Sequence, residues 1–150
     1  TLSLTPLKRL TQFGQWILYR RMLGLFVFFY ASVHLLIYLG LDYQFAWTDI
    51  QDDILKHKYV LVGFLAWLLL IPLALTSTNT MIKKLKKRWK SLHQLIYLVA
   101  VLAILHFFWL VKKDLTEPII YGSILATLLL IRVYYFAKNK QSKNKKNNEN

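Results

Sequence analysis

The chain has 150 residues, of which 56% are hydrophobic and 15% aromatic, with a formal net charge of +13 and no cysteine. That is too apolar for a soluble domain of this length, and the lack of thiols excludes disulfides, thiolate iron–sulfur sites and the C-x-x-C-H attachment of c-type heme. The positive charge would suggest nucleic acid in a soluble protein, but here the lysines and arginines flank apolar runs and leave no basic face over, which sets nucleic acid aside.

From the N-terminus, Thr1 to Arg21 reads as the end of a preceding hydrophobic segment, broken at Pro6, then an interfacial stretch with Trp16 and Tyr19. The chain opens on Thr1 without the pattern of a secretory leader, so more chain is expected upstream. Four runs then approach the bilayer-spanning length of about 20 residues: 22–41, 59–75, 92–111 and 119–137. The expectation is an all-α, polytopic transmembrane bundle of four spans within residues 1–138, followed by a disordered basic tail over 139–150.

Pro72 removes a backbone hydrogen bond inside the second span and is expected to bend it near its inner end. After it, Thr78 or Asn79 can cap a helix in which Ile82, Leu85, Trp89 and Leu92 recur at helical spacing among basic residues. This headgroup-level segment is expected to run straight into the third span. Arg132 lies about a turn and a half from the end of the fourth span, close enough to snorkel to the headgroups.

Loop charge orients the bundle. Four basic residues precede the first span (Lys8, Arg9, Arg20, Arg21), six lie between the second and third, and six close the fourth and form the tail. The two alternate connections carry Asp42, Asp49, Asp52, Asp53, Asp114 and Glu117 against four lysines. Positive-inside therefore places both ends of the chain in the cytoplasm, with two short acidic outer loops. Asp49, Asp52 and Asp53 gather on an outer loop, where charge would steer a soluble partner.

Three of the four histidines, His34, His93 and His106, fall within or at the edge of apolar spans, where an ionisable group usually faces a bundle interior or a functional site. At about 1.5 Å per residue, His34 lies roughly 10 Å inside the outer end of its span and His106 roughly 8 Å inside its own. The first and third spans run the same way, so these two imidazoles share a level and, as diagonal partners, face the core. Two neutral imidazoles at one depth are what a six-coordinate heme iron requires, and Phe107, Phe29 and Leu110 are candidates to cover the macrocycle. Met22 and Met81 both lie at the inner boundary and are no axial ligands for that level.

His93 sits 13 residues before His106, about 20 Å deeper and, on an ideal helix, roughly 140° around from it. The first span has no second histidine there; Arg20 is the nearest group, able to pair a heme propionate, assist an inner cofactor or simply anchor the inner end. His57, beside Lys56 and Lys58, reads as a surface residue. No catalytic triad, paired carboxylates, phosphate-cradling glycine loop or zinc spacing is present.

The strings Arg20-Arg21-Met22-Leu23-Gly24-Leu25 and Ser32-Val33-His34-Leu35, then Leu73-Ala74-Leu75-Thr76-Ser77-Thr78, Lys87-Arg88-Trp89-Lys90-Ser91-Leu92-His93, Tyr97-Leu98 and His106, resemble the heme-binding membrane subunits of bacterial periplasmic methionine-sulfoxide reductase systems. Those subunits lie within the ferric-reductase-like transmembrane proteins. The resemblance covers nearly all of Thr5 to Tyr135. It implies electron delivery from the quinone pool, or from a cytosolic flavin reductase, through heme b to a periplasmic molybdopterin methionine-sulfoxide reductase that repairs oxidised proteins. By position it makes His34, His93 and His106 the heme-linked histidines, and it associates FMN with the family. The family has six spans, so the first two are expected to lie outside this sequence.

The expectation is thus an electron-transfer subunit with one heme between His34 and His106 and a second, inner site at His93 with Arg20. The rivals are a transmembrane ferric or metal reductase, and a cofactor-free membrane scaffold or transporter whose histidines are interhelical glue.

Overall fold

The computed structural model describes residues 16–111 and 114–148, and all its regular elements are helical. The segment before Trp16, with the expected break at Pro6, lies outside the described residues. Helix α1 (Trp16–Ile37) winds into a π-helical turn, Tyr38–Asp42; α2 is Trp47–Lys56 and α3 Lys58–Leu75. Then come α4 (Asn79–Leu85), α5 (Lys87–Leu92), α6 (Leu95–Leu110) and α7 (Thr116–Asn148). Four helical stretches are long and apolar enough to cross a membrane: Tyr19–Asp42, Lys58–Leu75, Lys87–Leu110 and Thr116–Tyr135. Each overlaps one of the four runs expected from hydropathy.

The spans form a row more than a closed square. α3 packs most extensively on α6, α1 lies against α3, and α7 lies against α6. The buried core is correspondingly thin: Ala66, Leu70 and Leu73 of α3, Val99 of α6 and Ile50 of α2. Phe26, Phe29 and Tyr30 on α1 and Leu130 and Val133 on α7 remain exposed, as residues facing lipid do.

Polar side chains join the row at chosen points. Trp67 Nε1 on α3 donates to Ser32 Oγ (3.0 Å), while Ser32 Oγ donates to the Phe28 carbonyl one turn back (2.9 Å). The Phe28 and Trp67 rings stack beside that bond at 6.4 Å. At the inner end an Arg21 guanidinium nitrogen donates to Asn79 Oδ1, and Trp89 Nε1 donates to the Thr76 carbonyl (2.9 Å). Thr78 caps α4, its hydroxyl accepting from the Met81 N–H at 3.3 Å, as its position suggests.

The helices depart from the sequence reading in three places. The basic segment does not run straight into the third span: Lys86 adopts φ 47° and ψ −117°, a conformation that ends α4, and a turn at His93–Gln94 separates α5 from α6. The outer connection, read as a loop, contains α2, whose Ile50 is buried while Asp49 and Asp52 point outward and Asp53 turns back toward Tyr38. Arg132 lies 4.7 Å over the Tyr97 ring, a cation–π contact between α7 and α6. Finally, α7 continues through the expected disordered tail as far as Asn148, with no Pro or Gly in that stretch to stop it and four Lys and one Gln that favour helix.

Candidate functional site

Two levels of the bundle carry the candidate residues. At the outer level the structure brings His34 of α1 and His106 of α6 together, their ring centroids 6.3 Å apart and their planes 77° apart. His106 Nδ1 is 2.7 Å from the Tyr59 carbonyl on α3. A carbonyl only accepts, so Nδ1 carries the proton and Nε2 keeps its lone pair. That is the tautomer a metal-ligating imidazole needs, with its other nitrogen bonded to a backbone oxygen. Gly63 leaves the face of α3 bare beside this ring, and Tyr59 contributes a ring at 6.3 Å.

The expected covering residues do not gather here. Phe107 turns to Tyr121 on α7 (6.2 Å), Phe29 is exposed beside Tyr30, and Leu110 is exposed. The reason is geometric: the Tyr59 bond orients the α6 face at His106 toward α3, and Phe107, one residue on, is then carried around to α7.

At the inner level His93 ends α5. Its Nδ1 is 3.1 Å from the Trp89 carbonyl and its ring stacks on Trp89 at 4.0 Å, while its Nε2 is buried without a hydrogen bond of ordinary geometry, the Leu73 backbone being near enough to act on the ring. One turn along, the Tyr97 hydroxyl is buried and unpaired beneath Arg132. A native fold leaves few such groups unpaired, so each one points to a missing partner. Arg20 is half-buried on α1, near enough to His93 for charge on the two to interact. Because the His93–Gln94 turn interrupts the helix, the ideal angle between His93 and His106 does not carry over to this span.

Above the outer level lies a cluster that sequence reasoning missed. Tyr38 donates to Asp53 Oδ2 (2.7 Å), His57 Nδ1 is 2.7 Å from Asp53 Oδ1, and Tyr43, whose ring packs on Tyr38 at 5.0 Å, lies beside this carboxylate. His57 is therefore no free surface residue; it joins α2 to α3 and packs on Tyr59 at 5.4 Å. Asp53 is likewise withdrawn from any docking patch, leaving Asp49 and Asp52 exposed, with Asp52 paired to Lys56 at 3.1 Å. The signal available in the sequence was Asp53 and His57 at i, i+4 on one helical face.

Burial works to raise the Asp53 carboxyl, but hydrogen bonds from Tyr38, Tyr43 and His57 outweigh it and hold the group below its ordinary range. A carboxylate depressed in the fold stabilises above its unfolded value of 3.8, and that contribution disappears as pH falls through the lower folded value. Asp53→Asn is expected to destabilise the protein by about 1–3 kcal/mol at neutral pH. Thermal unfolding in detergent across pH checks this: the gap to the unaltered protein should close on acidification, and a gap independent of pH would count against the carboxylate's role.

Comparison with known proteins shows the family. Residues 1–104 match the model of the family described as ferric reductase like transmembrane component, a stretch that holds His34 and His93 and stops two residues before His106. The chain belongs to the ferric-reductase-like transmembrane family. Among curated relatives, the protein-methionine-sulfoxide reductase heme-binding subunit MsrQ of Xanthomonas campestris pv. campestris (strain B100) is 55% identical over 134 residues, 89% of this chain and 62% of that protein. The subunit of the same name from Xanthomonas euvesicatoria pv. vesicatoria (strain 85-10) is 56% identical with the same coverage. That of Herminiimonas arsenicoxydans is 50% identical over 147 residues, 96% of this chain and 67% of its own length. The chain thus spans 62% of the length of the Xanthomonas relatives. No solved structure gives a significant match.

The outer pair fits heme on the chemistry of its donors. Two metal–nitrogen bonds of roughly 2 Å set in line would put the ring centroids roughly 6 Å apart, close to the observed spacing. Among the described residues no three His, Cys, Asp or Glu side chains meet as a metal cage. A pair of imidazoles suits an iron whose remaining ligands arrive with the cofactor.

Proposed function

We propose that this member of the ferric-reductase-like family is the heme-carrying core of an electron-transfer subunit in a protein-methionine-sulfoxide reductase system. Electrons enter at the cytoplasmic side, from quinol or from a cytosolic flavin reductase, and leave at the periplasmic side. The acceptor is a molybdopterin methionine-sulfoxide reductase that repairs oxidised periplasmic proteins. The observation that carries the reading is the His34–His106 ring pair with His106 held in the Nε2-free tautomer. The names of the relatives, heme-binding subunits of such a reductase, support it.

Heme b, when bound, supplies a one-electron carrier at the outer level. His34 and His106 hold it there, and the Tyr59 carbonyl orients His106. At the inner level His93, with Arg20 nearby, receives a second cofactor, a further heme b or FMN, on its Nε2. The apolar spans keep both levels out of water. The protein lies in the bacterial inner membrane with both ends of this chain in the cytoplasm, a placement supported by sixteen of the twenty basic residues falling on one side, counted as four, six and six.

The family's description favours a second reading, reduction of external ferric ions. One experiment addresses the reading and its rival. In membrane vesicles with a single cysteine at Gln51, the purified chain should show a reduced b-type absorption spectrum. It should also oxidise on adding the periplasmic reductase with a sulfoxide substrate, and accept thiol label at Gln51 only from the reductase side. Oxidation by ferric chelate but not by the reductase would select the rival, and a spectrum without heme would end both.

A further inference from the structure

The His106 ring rests on a bare stretch of α3, and the residue responsible is Gly63. A Cβ placed on Gly63 would fall 2.6 Å from His106 Nδ1, 2.8 Å from Cε1 and 3.3 Å from Cγ. The ring cannot simply move aside, because Nδ1 is bonded to the Tyr59 carbonyl at 2.7 Å and the Tyr59 and His34 rings lie 6.3 Å away. Tyr59 stands one helical turn before Gly63, and a helical carbonyl points along the axis toward the residue four places on. The carbonyl and the missing side chain therefore form one notch, floored by Gly63.

Glycine inside a helix normally weakens it relative to alanine, through backbone entropy and the loss of contacts. Close approach of two membrane helices is one reason to keep it. Here the approaching group is an imidazole ring edge. Nε2 is not among the three ring atoms nearest the built Cβ, so the edge with the lone pair turns away from α3.

We infer that Gly63 is a positioning residue for His106: by lacking a side chain it lets the ring reach the Tyr59 carbonyl, which sets the tautomer and turns Nε2 into the outer site. The inference deepens the reading of His106 as an iron ligand and rests on it for its functional meaning. The notch itself exists without any cofactor. Any Cβ at this position forces the ring outward, breaks the Nδ1 bond and frees the imidazole to take the other tautomer.

The test compares the unaltered chain, Gly63→Ala and, as a control on an exposed neighbour of the same helix, Leu61→Ala. In heme-free protein, nitrogen-15 spectra of the histidine rings should show His106 protonated at Nδ1 in the unaltered chain and in Leu61→Ala, and a mixture of tautomers in Gly63→Ala. In heme-loaded protein, Gly63→Ala should bind the outer heme about ten- to a hundredfold more weakly, the usual effect of removing a ligand's orienting partner.

A double-mutant cycle covers the case in which Gly63→Ala unfolds the chain. With His106→Ala in the background the added methyl meets open space, so Gly63→Ala should then be harmless or mildly stabilising. Equal destabilisation with and without the His106 ring would overturn the inference, as would a Gly63→Ala protein that keeps both the Nδ1-protonated ring and full heme affinity. An unaltered chain that binds no heme would remove the heme reading but leave the ring spectra and the cycle to decide the role of Gly63.

Discussion

Replacing either His34 or His106 with alanine is expected to abolish the outer low-spin heme, lowering its content at least about tenfold or leaving a five-coordinate iron. The two rings meet from different helices with centroids 6.3 Å apart, and no methionine lies at that level to take over as an axial ligand. His57, the other histidine on the outer side, is committed to Asp53 at 2.7 Å. Each single change therefore breaks a site that needs both side chains, so the double mutant should be no worse than either single one. Low-temperature electron paramagnetic resonance is the measurement. A bis-imidazole signal persisting at full heme content in both single mutants would sink the pairing.

His93→Ala should have the opposite pattern, removing an inner signal and leaving the outer low-spin signal intact. The basis is a cost the protein already bears: His93 Nε2 and the Tyr97 hydroxyl one turn away are both buried without a well-formed hydrogen bond. An unsatisfied buried polar atom costs roughly 1–3 kcal/mol, a cost offset only when a ligand supplies the missing partner. Without cofactor, His93→Ala is expected to leave stability unchanged or slightly raised, since it removes the buried nitrogen along with the Trp89 stacking. With cofactor it should lose the inner signal and slow transmembrane electron transfer at least about tenfold. Redox titration followed by the same resonance experiment separates the two levels. If the outer signal disappears with the inner one, His93 acts on the outer site and the two-level arrangement fails.

Much of the site was legible in the chain because it depends on quantities that are one-dimensional. A membrane-spanning helix is recognised by the length of an apolar run, and depth follows from a fixed rise per residue, so the shared level of His34 and His106 could be computed before any packing was known. The same holds for the Thr78 cap, which is a matter of spacing. Membership in the family was also legible, because the strings around His34 and His93 are contiguous and survive without knowledge of the fold.

Tertiary structure alone decided how those groups are held, because orientation about a helix axis depends on what each face packs against. Hydropathy treats Phe107 and Phe29 as equally good heme covers, yet the packing of α6 on α3 turns Phe107 toward α7 and leaves Phe29 exposed. The His93–Gln94 turn reset the register that an ideal helix would have carried from His93 to His106. The outer connection reads as a loop until Asp53 is seen to gather Tyr38, Tyr43 and His57, a cluster drawn from three separate segments. A glycine in a sequence marks only the absence of a side chain. That Gly63 is the floor beneath His106, and that the Tyr59 carbonyl fixes which nitrogen of that ring is free, follows from the contact between α3 and α6, which residues 47 positions apart in the chain make only once folded.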